Sequence, residues 1–153
     1  MFTLVPEGFF DPAAARDALA EVAPVAESDK VLYRQIPQFG AVLIYNVSGG
    51  EDTPPEIFDI LRELPSCSEY NKLLCSWHDG ELSMAVGQGR SLLLANSYKA
   101  PDFTTAQYFI FLALKSLQLN PEVTTIRFRH PLSAENEMAL YRYFKAVESP
   151  SVL

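Results

Sequence analysis

Apolar residues along the chain fall into two kinds of run, short β-branched or aromatic stretches and longer stretches at helical spacing, with proline, glycine and aspartate between them. Phe2-Thr3-Leu4-Val5 reads as a short strand stopped by Pro6, and Asp11-Pro12 as a helix start, an acceptor at the N-cap followed by proline. The helix is expected over Pro12 to Val22, with Ala13, Ala14, Ala15, Ala18, Leu19 and Val22 as a close-packing face and Pro24 as its end. Val31 to Ile36 and Ala41 to Val47 have strand character and are joined by Pro37-Gln38-Phe39-Gly40. After the polar loop Ser48 to Asp52, Thr53-Pro54-Pro55-Glu56 opens a helix whose Ile57, Ile60, Leu61 and Leu64 recur at helical spacing, with Pro65 closing it.

The second half is denser. Lys72 to Trp77, Glu81 to Val86 and Ser91 to Ser97 read as a three-stranded antiparallel meander with Asp79-Gly80 and Gly87-Gln88-Gly89 in its turns, where positive φ angles are needed. Asp102 or Thr104 caps a long helix from about Phe103 to Leu119, which Asn120-Pro121 ends. Val123 to Phe128 alternates as a strand with one wetter face. Ser133 then caps a last helix carrying Met138, Leu140, Tyr141, Phe144 and Val147. The order is β-α-β-β-α followed by β-β-β-α-β-α. This is an α+β chain, and its second block has the opening pattern of a ribonuclease-H-like unit: a mixed sheet with a meander backed by helices.

The sequence resembles a known family at "FTLVPEGFFD", "IPQFGAVLIYNV", "LLLANSYKAPDFTTAQYFIFLALKSLQLNPE" and "YRYFK". The family is an uncharacterised Bacteroidetes family of unknown function with an actin-like ATPase fold. Leu94-Ala95-Asn96-Ser97-Tyr98, then Asp102-Phe103 and Tyr108, carry the resemblance most specifically. It implies two lobes, residues 1–66 as the remainder of a first actin-like lobe and 67–153 as a ribonuclease-H-like lobe. Members of that family are longer and have a three-stranded segment before the "FTLVPE" motif. The resemblance therefore implies an N-terminally truncated member that begins inside its first lobe, with open sheet edges that a second copy could pair.

Composition narrows the partners. Lys and Arg number 12 against 19 Asp and Glu, a formal net charge of −7, which disfavours nucleic acid and anionic membrane surfaces. No apolar run reaches the roughly 18 residues of a membrane span, and Glu7, Asp11, Arg16 and Asp17 do not fit a signal peptide, so a cytoplasmic protein is expected. The two cysteines, Cys67 and Cys75, read as reduced thiols.

Candidate chemistry is sparse. Actin-like ATPases hold phosphate in a turn of the form Asp-x-Gly-x-x-Thr. Here Asp79 and Gly80 are followed by Glu81 and Leu82, and Gly87, Gly89 and Arg90 lack a strand-to-helix context. These five residues are the candidate phosphate-binding positions, and bends without a cofactor are the favoured reading. His78 and His130 have no second ligand at metal spacing, so no metal is expected, and Ser76, His78 and Asp79 lack a hydrolase elbow, so no catalytic residue is assigned. Glu135 and Glu137 suit the dipole at a helix start, and Arg127, Arg129 and His130 suit either an anion or neighbouring acids.

The helix from Phe103 is apolar around most of its circumference, which calls for burial on two sides, between the sheet and the last helix. If it is not so buried, Tyr108, Phe109, Phe111 and Leu112 form an interface for another protein or a second copy. Two functions are consistent with these residues: a non-catalytic interaction or scaffold protein, possible as a homodimer, or a nucleotide-binding protein whose phosphate loop lies outside the chain.

Overall fold

The computed structural model describes residues 1–50 and 52–150, in two compact units, Met1–Arg62 and Glu63–Leu153. In the first, β1 (Phe2–Pro6), α1 (Ala15–Ala20), β2 (Lys30–Ile36), β3 (Ala41–Val47) and α2 (Glu56–Glu63, whose last residue falls in the second unit) follow one another. The three strands form an antiparallel sheet in the order β1-β3-β2. Gly40, at φ +59°, makes the β2–β3 reversal after a 3₁₀ turn over Pro37–Phe39. Val42 and Ile44 on one face of β3 pack with Ala15 and Leu19 of α1. On the other face, the Arg34 guanidinium lies 5.5 Å from the centre of the Phe58 ring of α2.

The helix expected from Pro12 starts later. Asp11 caps as read, accepting from the Ala13 N–H at 3.0 Å, but residues 12–14 form a 3₁₀ turn and α1 begins at Ala15. Its far end tightens ahead of Pro24, with Val22 N–H donating to Leu19 C=O three residues back. A polar clasp holds the next loop: the Asp29 carboxylate accepts from Ala26 N–H and Asn46 Nδ2, and Arg16 donates to Asp29 C=O.

The second unit holds β4 (Asn71–His78), β5 (Glu81–Gln88), β6 (Ser91–Lys99), α3 (Phe103–Ser116), β7 (Thr125–Phe128), α4 (Ala134–Tyr141) and β8 (Ala146–Glu148). Its sheet runs β6-β5-β4-β7-β8. The meander β4-β5-β6 is antiparallel as expected, whereas β4, β7 and β8 are parallel to one another. The mixed α+β class therefore holds. Leu73, Cys75, Leu82, Met84 and Val86 on one face of the sheet form a core with Ala106, Ile110 and Leu114 of α3 and Leu140 of α4.

Three boundaries differ from expectation. α3 stops at Ser116, three residues before Leu119, because Gln118 takes φ +57°. Leu119 N–H then reaches Leu114 C=O and Gln118 N–H reaches Lys115 C=O, a reversal that satisfies the last carbonyls. Residues 121–123 form a 3₁₀ turn capped by Asn120, which delays β7 to Thr125.

The third difference changes the topology. Val147, expected on the last helix, lies in β8 opposite Ile126 of β7. Phe144 and Val147 have helical spacing, but Lys145 N–H donates to the carbonyls of Pro121 and Thr124, and Tyr141 OH donates to Val147 C=O. These non-local bonds pull the segment into the sheet.

Asp102 caps α3 by accepting from Thr105 N–H at 2.8 Å, and this bond holds its carboxyl pKa below the usual value of 3.8. Its stabilisation is present above the unfolded-state pKa and is lost as pH falls through the depressed folded value. Asp102→Ala should therefore lower the thermal midpoint at neutral pH, and the gap from wild type should close as the wild-type carboxylate is protonated. A gap independent of pH, in thermal unfolding followed by circular dichroism, would contradict this.

Candidate functional site

Because β4, β7 and β8 run parallel, their carboxyl ends emerge along one edge, the position where open sheets of this kind place ligands. His78 ends β4, Arg129 and His130 follow β7, and Ser149 follows β8. Arg129 N–H donates to Cys75 C=O at 2.9 Å, carrying the β4–β7 pairing past the end of β7. The imidazoles of His78 and His130, far apart in sequence, stack with centroids 5.0 Å apart. His78 Nε2 also lies 3.2 Å from the Asp79 carboxylate.

A cleft of about 300 Å³ opens at this edge, lined by Glu63, Arg127, Arg129, Glu148 and Ser149 among others. Arg127 of β7 and Arg129 just past its end are two residues apart, the spacing that puts side chains of extended backbone on one face. Each meets an acid: Arg127 Nη2 lies 3.3 Å from Glu148 Oε2 on β8, and Arg129 Nε lies 3.0 Å from Glu63 Oε2. The pairing with neighbouring acids read from the sequence is thus present, though Glu63 and Glu148 were not foreseen as the partners. Burial works against the charge on Arg127, but nearby Cys67 and Glu148 outweigh it and its pKa is raised. Burial raises the pKa of the Cys67 thiol.

The two glycine turns of the meander are engaged by their own chain. In the first, Asp79 and Gly80 have φ +51° and +72°, the left-handed pair of a tight hairpin. Gly80 C=O accepts from Ala100 N–H at 2.8 Å, and Trp77 Nε1 donates to Ala100 C=O at 2.9 Å. In the second, Gly89 N–H donates to Tyr70 C=O at 2.8 Å, so that amide already has an acceptor. Lys72, only 8% exposed, donates from Nζ to the carbonyls of Gly89 and Cys67 at 2.9 and 3.0 Å. Gly87 makes room for this side chain, since a Cβ there would lie 3.1 Å from Lys72 Cε and 3.3 Å from Leu64 Cδ2. Arg90 is exposed beside the turn, and Ser76 of the triad-like trio is buried in β4.

The four apolar candidates on α3 divide. Phe109 stacks on Tyr98 with centroids 4.5 Å apart, and Phe111 packs against Tyr143 and Phe144 at 5.0 and 5.7 Å. Tyr108 and Leu112 face outward, 60% and 46% exposed. Burial on two sides thus accounts for Phe109 and Phe111 and leaves an outer stripe uncovered among the described residues.

A five-stranded mixed sheet with a meander, a crossover helix and parallel strands beyond it is the architecture of the actin-like ATPase fold. The chain is similar in structure to a Bacteroides thetaiotaomicron protein described as having an actin-like ATPase fold and unknown function. The TM-score is 0.80 at 18% identity over 97% of this chain, and the match spans 64% of that protein's chain, a likeness of fold alone. Residues 57–147 match the family described as Protein of unknown function (DUF3822), and the chain belongs to that family. No functionally curated protein matches it in sequence.

Replacing Lys72 tests whether its ammonium holds the second turn. Lys72→Met keeps most of the volume and leaves two carbonyls without their donor, which should cost about 1–3 kcal/mol in urea unfolding. Unchanged stability would mean that the turn does not depend on this contact.

Proposed function

We propose that the protein is a non-catalytic interaction protein on an actin-like framework, working in the cytoplasm and docking another protein through the outer face of α3. The exposed stripe of Tyr108 and Leu112 carries this reading. Lys115 lies on the same helical face and is the only charged residue of α3, so the stripe presents aromatic and aliphatic surface beside one cation. Tyr143, half exposed and in contact with Phe111, extends the stripe beyond the helix. Tyrosine is among the residues that contribute most at protein interfaces. Buried, unpaired Cys67 and Cys75 support a reducing compartment.

Nucleotide binding is the second reading, favoured by the actin-like ATPase fold of the Bacteroides protein. Against it stand the Gly89 amide, already donated to Tyr70, and Glu81 beside the Asp79-Gly80 turn.

Photo-crosslinking separates these readings. A photoreactive residue at position 108 or 112 should give discrete protein adducts in cells, and adducts of twice the chain mass would identify a second copy as the partner. Tyr108→Ser should stay within about 0.5 kcal/mol of wild-type stability, while Phe111→Ser should lose about 1–3 kcal/mol through its aromatic contacts. No adduct at either position, together with a thermal midpoint raised by magnesium ATP, would replace the docking reading with the nucleotide one; a ligand at 100 times its Kd stabilises by about 2.7 kcal/mol.

A further inference from the structure

We propose that the cleft at the carboxyl ends of β7 and β8 binds a small zwitterion of the α-amino-acid class, its carboxylate on Arg127 and its ammonium on Glu148. The inference is independent of the docking stripe on α3. Arg127 and Glu148 lie opposite one another on paired strands, yet only one contact joins them, at 3.3 Å, the long end for a charge-assisted bond. A guanidinium presents five N–H donors in a fork that fits a carboxylate at two points, and this pair uses one of them. The two side chains are 28% and 41% exposed, so their direct pairing is weak and is exchanged at little cost.

The rest of the cleft sets the ligand class. Arg129 and Glu63 pair at 3.0 Å beside the first couple, so the walls carry two positive and two negative groups. A dianion such as phosphate would meet Glu63 and Glu148, and a simple cation would meet both arginines. A molecule bearing a carboxylate and an ammonium on one carbon satisfies both walls, and about 300 Å³ holds one of amino-acid size. Such a ligand inserts between Arg127 and Glu148 and replaces one poor contact with a forked one and a second ion pair.

The test is a titration of the full chain followed by amide chemical shifts, with L-alanine, L-glutamate and L-lysine as zwitterions and acetate, methylammonium and inorganic phosphate as partial mimics. At least one amino acid should saturably shift the amides of residues 127–129 and 148–149, binding at least about tenfold more tightly than acetate or methylammonium. Arg127→Lys keeps the charge and loses the fork, and it should weaken amino-acid binding in a protein that unfolds at the wild-type temperature. Glu148→Gln should weaken the amino acid and strengthen acetate, which tests the inference even if the Arg127 variant is unstable. Tighter binding of phosphate than of every amino acid at these amides, or no shift with any amino acid, would overturn the proposal.

Discussion

The constraint on which the second unit depends is the burial of β4 on both of its faces. Residues 72–76 are all buried, so each backbone N–H and C=O in this stretch needs a partner in a neighbouring strand. β5 supplies them antiparallel on one side and β7 parallel on the other. The antiparallel side needs only a two-residue hairpin, which Asp79 and Gly80 make with positive φ angles. The parallel side needs a long crossover, and α3 lies in it. From that one choice of pairing follow the apolar breadth of α3, the parallel β7–β8 edge and the cleft lined by the ends of β7 and β8.

Lys72 shows how far this constraint reaches. A cation on a strand buried from both sides must find acceptors close at hand, and it finds them in the carbonyls of Cys67 and Gly89. The second glycine turn is therefore shaped around a lysine stem, with Gly87 small because the stem passes it. Within the Gly-x-Gly pattern, Gly87 thus makes room for the protein's own Lys72 side chain.

The sequence made the local elements legible wherever the cause was local. Asp102 and Ser133 cap their helices as read, and the meander, its turns and the α+β class follow from residue pattern alone. What was not legible depends on partners distant in the chain. β8 was hidden because Phe144 and Val147 have helical spacing, while the carbonyls that redirect the segment belong to Pro121 and Thr124. The His78–His130 stack and the Arg127–Glu148 and Arg129–Glu63 pairs join residues on different elements, and no spacing rule connects them. The aromatic residues of α3 were recognised as a group, but only their neighbours decide that Phe109 and Phe111 turn inward while Tyr108 and Leu112 remain outside.

The two surfaces proposed for binding, the stripe on α3 and the charge-balanced cleft, are both held in place by the same sheet. Amide hydrogen exchange across that sheet is the most direct measurement of the central claim. The account predicts that the amides of Leu73, Leu74 and Cys75 exchange only through global unfolding, more slowly than those of the edge strand β6. Exchange of these β4 amides together with β6, or ahead of it, would contradict it.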